Sequence, residues 1–269
     1  MESIYIVLIF VYGLLFGSFF NVVGYRIPNN MSIVKPGSFC PKCKHELKWY
    51  ELIPVLSFLI QGGKCRKCKS RISLFYPAIE LLTGFLFLIS YLQFGFSFNF
   101  CLSILLSSFL VIVIVSDFNF LVIPNEVTLF FSILSLLIQV VYNYKLAIGS
   151  LLFGIVLFFS MYLIMIIGNK ALHEESLGGG DVKLMFFIGT IVNVVNPIIF
   201  SDLSSLFHLA NGFFELFLSS CFASPFALIK YFSKRGRGIP FGPFIILAAF
   251  IMFFFSFDIY NFINFFTFR

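Results

Sequence analysis

Long apolar stretches broken by short polar ones run through most of the chain, the pattern of membrane spans rather than of soluble amphipathic helices. A span needs about 20 apolar residues. Eight segments are expected to cross: 3–23, 77–96, 99–116, 122–142, 146–168, 183–199, 211–232 and 241–262. The seventh is the weakest, because Asn211, Glu215 and several serines interrupt it. The first carries only Glu2 as an early charge and lacks a small-x-small cleavage site, so it reads as a retained span, not a signal peptide. Residues 24–76 depart from the pattern altogether, being polar, basic and cysteine-bearing.

Composition agrees. The 269 residues are 60% hydrophobic and 11% charged, against about 25% charged in a soluble domain, and mean hydropathy is +1.02. The expected fold is an all-α polytopic membrane protein of about eight transmembrane helices. A first helix covers 1–23, a small cytoplasmic four-cysteine zinc domain 24–76, and a seven-helix membrane domain 77–269.

Lys and Arg set the orientation. Ten of the 18 lie between Arg26 and Arg71. Lys170, Lys183, Lys230, Lys234, Arg235 and Arg237 fall in loops that alternating crossings place on the same side; only Lys145 and Arg269 fall opposite. The basic side is the cytoplasmic one, so the net charge of +6 is a topological signal and implies no nucleic-acid partner.

Cys40-Pro41-Lys42-Cys43 and Cys65-Arg66-Lys67-Cys68 are two C-x2-C knuckles separated by 21 residues. Each knuckle puts two thiolates on one side of a tight turn, and two knuckles complete a tetrahedron for structural Zn2+. Two disulfides are the alternative, which a reducing cytoplasm disfavours. His45 is a bystander to four thiolates that already close the site, and Cys101 and Cys221 read as packing residues within spans.

Asp117 ends the third predicted span and Asp181 opens the sixth. Two crossings separate them, so both arrive at the cytoplasmic boundary. Acids there are costly and signal function. Carboxylates a few Å apart share one proton, and such a pair can activate water while polarising a carbonyl. Gly178, Gly179 and Gly180 either allow left-handed backbone and close approach of an extended peptide, or simply mark a helix boundary. Lys183 either influences the pair or snorkels to headgroups. Gly13-x-x-x-Gly17 reads as a close helix contact.

Five motifs in this order resemble the type IV prepilin peptidase family: GSFFNVVGYRIP (17–28), the cysteine region with WYELIPVLSFL and YPAIELLTG (40–84), SDFNFLVIPNEVT (116–128), GGGDVKL (178–184) and IPFGPF (239–244). The resemblance implies a membrane aspartic endopeptidase of the G-x-G-D type in the bacterial inner membrane, active at the cytoplasmic face. Asp117 and Asp181 would be its catalytic pair, supported by Gly178, Gly180, Lys183 and Glu80. Its partners would be prepilin or pseudopilin precursors, cut after a glycine that ends a short basic leader. Glu46, Glu51, Glu80, Glu174 and Glu175 are candidate partners for that leader's charges. The resemblance also implies N-methylation of the new N-terminus from S-adenosylmethionine, with Gly63 and Lys64 matching the relevant positions; a knuckle turn with a solvated lysine explains them equally well. Pro240, Gly242 and Pro243 suggest a segment returning near the acids. One departure is Ile123-Pro124-Asn125, where the family often has an aspartate third; residues 200–216 are also more polar than the family pattern leads one to expect.

Three other readings compete. An ion-coupled transporter would place its acids near mid-membrane and leaves the cysteines unexplained. A non-catalytic assembly factor leaves the acid pair without purpose. A leader peptidase lacking methyl transfer would not need the intact cysteine domain.

Overall fold

The structure, a computed structural model, describes residues 2–172, 178–195, 204–232 and 240–255. Helix α4 (Phe98–Phe120) explains the arrangement best. It is apolar all round, and such a helix belongs in the middle of a bundle. Within it, 67% of the span is buried, against 28% of α1 (Glu2–Arg26) and 22% of α6 (Tyr144–Leu172). Against it pack α1, α3 (Phe75–Phe94), α5 (Asn125–Tyr142), α9 (Gly242–Phe255) and, through Phe187, α7 (Gly179–Val195); α8 (Ser204–Phe232) lies against α9, and the one-turn α2 (Leu56–Ile60) lies in the cysteine region. No strand occurs among the described residues.

The protein is an all-α polytopic membrane protein. Among the described residues, five helices (α1, α3, α4, α5 and α6) are long and apolar enough to cross a membrane by length and composition, and α9 is a shorter apolar helix. The parts of the predicted sixth and eighth spans beyond Val195 and Phe255 lie outside the described residues, as do Glu174, Glu175, Lys234, Arg235, Arg237, Arg269 and part of 200–216. The interrupted seventh span is one helix, α8, with Pro225 inside it.

Two boundaries differ from the sequence expectation in ways that matter. Helix α4 starts where Ser97 accepts the Phe100 N–H, and continues past residue 116 to Phe120, so Asp117 lies within its last turn. It stops at Leu121, which adopts left-handed backbone (φ 56°) and donates its N–H to the Asp117 carbonyl. A leucine there costs about 1–2 kcal/mol. Pro124, extended before α5, then prevents an earlier start to the next helix. At the other boundary, α7 begins at Gly179, so Asp181 sits inside its first turn.

Close contacts are made by missing side chains. A Cβ on Gly13 would lie 2.7 Å from Gly84 Cα, and one on Gly17 2.8 Å from Glu80 Cα, so the predicted Gly13/Gly17 contact is made with α3. Gly154 and Gly189 bring α6 against α7 in the same way, a pairing too far apart in sequence to read as a motif. The α4, α5 and α7 interior closes on Phe109, whose ring lies 4.4 Å from Phe187 and 5.3 Å from Phe131. Gln139 donates across from α5 to the Thr190 carbonyl of α7 at 2.9 Å.

Residues between α1 and α3 lie against the Arg26 end of α1. Arg26, buried in the last turn of α1, donates to the carbonyls of Ser32, Pro36 and Gly37 at 3.0, 2.7 and 3.1 Å, fixing the chain as it leaves the helix. The rings of Tyr25 and Phe120 lie 5.4 Å apart, so the end of α4 sits at this same end of the bundle.

Candidate active site and cysteine cluster

Asp117 is 5% exposed, and its Oδ2 accepts the Gly242 N–H at 3.1 Å. Among the described residues Asp181 receives no such long-range bond; its own N–H donates to the Gly178 carbonyl at 3.0 Å, opening α7. The two carboxyl groups interact electrostatically. Ile123 joins their surroundings. A Cβ on Gly180 would lie 3.2 Å from Ile123 Cβ, and one on Gly242 would lie 2.8 Å from its Cδ1 and 3.2 Å from Asp117 Oδ2. The starts of α7 and α9 and the α4–α5 turn therefore close around one side chain, with the acids on the same rim.

The glycines act as spacers. None of Gly178, Gly179 and Gly180 has positive φ, so left-handed backbone is not their role in this conformation. A Cβ on Gly178 would come 3.2 Å from Asp181 Oδ2, so its absence leaves room for that carboxylate. Gly180 makes room for Ile123 instead. The first turn of α7 also leaves backbone N–H groups without intrahelical partners beside Asp181.

Lys183 reaches across to Asn125, donating from Nζ to Oδ1 at 2.8 Å. Asn125, where the sequence departs from the expected motif, thus holds the start of α5 to α7. Sequence reasoning missed this bond, and also missed the Gly242 N–H as a partner for Asp117. Pro240 and Pro243 flanking Gly242 were the available signal, since prolines there fix the entry into α9.

The four cysteine sulfurs lie within 4.8 Å of one another, with Cys40 and Cys68 at 3.8 Å and Cys43 and Cys65 at 4.0 Å. All four are free thiols. A disulfide requires about 2.05 Å, so the cluster is arranged as a metal site and not as two bridges. Its halves repeat. The Lys44 and Lys69 N–H groups donate to the Cys40 and Cys65 carbonyls, both at 2.9 Å, and both lysines have left-handed backbone. Residue pairs Phe39 with Glu46 and Lys64 with Arg71 bridge at equivalent positions. The Cys43-Lys44 and Cys68-Lys69 repeat was visible in the sequence, and it is the knuckle turn itself.

His45 is not one of the four grouped ligands; its backbone bonds to the Cys43 side chain, while its imidazole pairs with Glu51, Nε2 to Oε2 at 3.3 Å. The Lys48 N–H donates to the same oxygen at 3.0 Å. That bond first, and the His45 contact after it, hold the Glu51 carboxyl below its ordinary value against the opposing effect of burial. Tyr50 receives the Arg66 guanidinium over its ring at 5.0 Å, while Trp49 is largely exposed.

Glu80 stands with this domain rather than with the aspartates. Its Oε2 accepts the Val55 N–H at 2.8 Å, and Ser18 also bonds to its side chain. Gly63 has φ +67°, and a Cβ there would lie 3.0 Å from Phe58 Cζ. Lys64 pairs with Arg71, and Glu46 with Phe39, through antiparallel backbone β-bridges. Cys101 and Cys221 are exposed on the helix surface instead of packed.

Two family profiles match consecutive parts of the chain. The bacterial peptidase A24 N-terminal domain matches residues 11–94, and the type IV leader peptidase family matches residues 104–257. Among curated proteins, the prepilin leader peptidase/N-methyltransferase of Bacillus subtilis is 33% identical over 255 residues, covering 95% of this chain and 96% of its own. The protein of that name from Vibrio cholerae is 33% identical over 267 residues, covering 94% and 98%. That from Neisseria gonorrhoeae is 29% identical, covering 90% and 88%. No solved structure matches the chain. A profile covering more than half of the sequence, and relatives aligned almost end to end, settle its kinship: the chain belongs to the type IV leader peptidase family.

Proposed function

We propose that the protein removes the short basic leader from type IV prepilins or pseudopilins and then N-methylates the exposed N-terminal residue. The observation that carries the first activity is the convergence of Asp117 and Asp181 around Ile123 and Gly242. Curated relatives named for both activities support the pairing of cleavage with methyl transfer.

The chemistry follows from the pair. One carboxyl keeps its proton and the other is charged. The charged member takes a proton from a bound water as the oxygen attacks the scissile carbonyl, and the protonated member donates to the carbonyl oxygen. Collapse of the tetrahedral intermediate breaks the C–N bond. The leaving amine takes the proton that one carboxyl gained from water, and a hydroxyl of the tetrahedral diol returns its proton to the other as the new carbonyl forms, so the pair again holds a single proton. Gly242 holds Asp117 through its N–H, Gly178 keeps space beside Asp181, Gly180 makes room for Ile123, and Lys183 ties α7 to α5 through Asn125.

The new α-amine has an ordinary pKa near 7.7–8.0, so part of it is neutral at physiological pH. Its lone pair forms the N–CH3 bond as the C–S bond of S-adenosylmethionine breaks, the electron pair returns to sulfur, and the surplus proton passes to water.

In this reading residues 24–76 form a cytoplasmic domain and residues 77–269 the catalytic membrane domain, with both acids at the cytoplasmic face of the inner membrane. The basic residues of 24–76, and the position of both acids at the Arg26 end of α1, support that orientation. Cys40, Cys43, Cys65 and Cys68 would hold Zn2+. A tetrahedron with Zn–S near 2.3 Å places its sulfurs about 3.8 Å apart, which matches the observed 3.8 and 4.0 Å. The ion would supply folding energy to a domain with little core.

The test is to incubate the purified protein in lipid with a prepilin and methyl-labelled S-adenosylmethionine. Leader removal together with label on the new N-terminus is expected. No cleavage would overturn the proposal, and cleavage without label would reduce it to a peptidase alone.

A further inference from the structure

Outside the membrane spans, residues 49–60 of the cysteine region carry an apolar surface of their own. Trp49, Leu52, Ile53, Leu56, Leu59 and Ile60 are all exposed, Trp49 at 77% and Ile60 at 74%. In α2 the exposed side chains occupy one helix face, since Leu56, Leu59 and Ile60 stand at i, i+3 and i+4. Phe58 turns the other way, onto Gly63. So many large apolar side chains open in so short a run mark a surface that contacts something other than water.

Glu80 fixes the height of this segment relative to the bilayer. It lies five residues into α3 from Phe75, about 7.5 Å along the axis, inside a helix long and apolar enough to cross a membrane. Its Oε2 accepts the Val55 N–H at 2.8 Å, and Ser18 of α1 also bonds to its side chain. Val55 directly precedes α2. The start of α2 is therefore held beside α1 and α3 at the level of their spans, and not beyond the helix ends. The anchor holds against strain: Val55 is β-branched yet has φ 59°, an outlier that persists only where the surroundings over-determine it.

Charge completes the match. Between Leu47 and Ile79 the bases Lys48, Lys64, Arg66, Lys67, Lys69 and Arg71 are all exposed, while the one acid, Glu51, is buried. An apolar face bordered by cations, with no exposed anion, is what a segment lying in a lipid interface carries: its apolar side chains enter the acyl layer and its cations meet anionic headgroups. A protein partner would have to pass those headgroups to reach the depth of Val55.

We infer that residues 49–60 lie in the leaflet at the Arg26 end of the bundle, with Leu56, Leu59 and Ile60 among acyl chains, Trp49 at headgroup level and the basic rim selecting anionic lipid. The inference depends on neither enzymatic activity. It makes the cysteine region a part of the membrane surface, pinned at Val55 and α2, and leaves it no freedom to swing away from the bundle.

Trp49 is the one tryptophan of the chain, so the unmodified protein carries its own probe. In lipid nanodiscs holding a single copy, lipids brominated near the headgroup end of the acyl chain should quench Trp49 fluorescence more than lipids brominated near the methyl end. Aqueous acrylamide should quench it weakly. The double variant Trp49→Phe, Ile60→Trp moves the probe into α2, where a side chain about 5–10 Å into the boundary should be quenched more strongly by lipid and less by acrylamide than Trp49 is. An unchanged melting temperature checks its fold. Brominated anionic lipid diluted in plain zwitterionic lipid should quench Trp49 more than the reverse mixture of equal bromine content. Free access of acrylamide to Trp49, with no quenching by either brominated lipid, would overturn the inference. So would loss of that access only when a prepilin is added, which would make the surface a protein dock. Equal quenching by the two mixtures would overturn the preference for anionic lipid.

Discussion

The Gly242 N–H donates to Asp117 Oδ2 at 3.1 Å, joining residues 125 apart in sequence and tying the start of α9 to the end of α4. The contact needs a glycine. A Cβ at 242 would lie 2.8 Å from Ile123 Cδ1, 3.1 Å from Val113 Cγ1 and 3.2 Å from the carboxylate oxygen itself. Gly242→Val is expected to lower the leader-cleavage rate at least tenfold, about 1.4 kcal/mol of barrier, with membrane insertion unchanged. A time course of prepilin trimming measures it, and a normal rate would show that α9 does not position Asp117.

The proposed acid pair demands both carboxyl groups. Asp117→Asn and Asp181→Asn should each abolish leader removal while protein level and insertion stay normal. Asparagine keeps the size of the side chain but can neither take the proton from water nor return it. Retained cleavage by either variant would end the dyad hypothesis.

Stability of the bundle depends on how closely α1 approaches α3. Because a Cβ on Gly13 would fall 2.7 Å from Gly84 Cα and 2.9 Å from the Thr83 carbonyl oxygen, backbone would have to move to admit one. Gly13→Leu should cost about 1–3 kcal/mol, the usual range for overpacking, and lower the melting temperature in detergent. Leu15→Ala, at an exposed position on the same helix, is the control and should have a smaller effect.

The proposed zinc site makes metal binding and the fold of residues 24–76 depend on one another. Cys40→Ser removes one of four sulfurs that lie within 4.8 Å of one another. Zinc content per chain should fall, and limited proteolysis should cut within 24–76 while the membrane helices survive. Chelation of the unmodified protein should reproduce the same cuts. Full zinc loading of the variant would contradict a four-thiolate site.

Much of this was legible in the sequence because it depended on local pattern. Apolar runs dictate membrane helices, since an unpaired backbone polar group is intolerable in lipid. The two C-x2-C turns place their thiolates by short-range geometry, and the parity of crossings brings Asp117 and Asp181 to one end whatever the packing. Gly13 and Gly17 face the same way on α1 because four residues make about one turn.

Tertiary structure decided what depended on elements distant in the chain. The Gly242 bond to Asp117, the Lys183 bond to Asn125 and the Gly154–Gly189 approach exist only because separate helices meet, and no local spacing encodes such a meeting. It decided the glycines before Asp181 as well: left-handed freedom and helix initiation are both open to a Gly-rich run, and Ile123 packing against Gly180 favours the compact, helical one. Glu80 shows the same limit. An acid near the start of a span announces a role by the cost of burying it, but only the fold could show that it turns to Val55 and the cysteine domain and away from the aspartates.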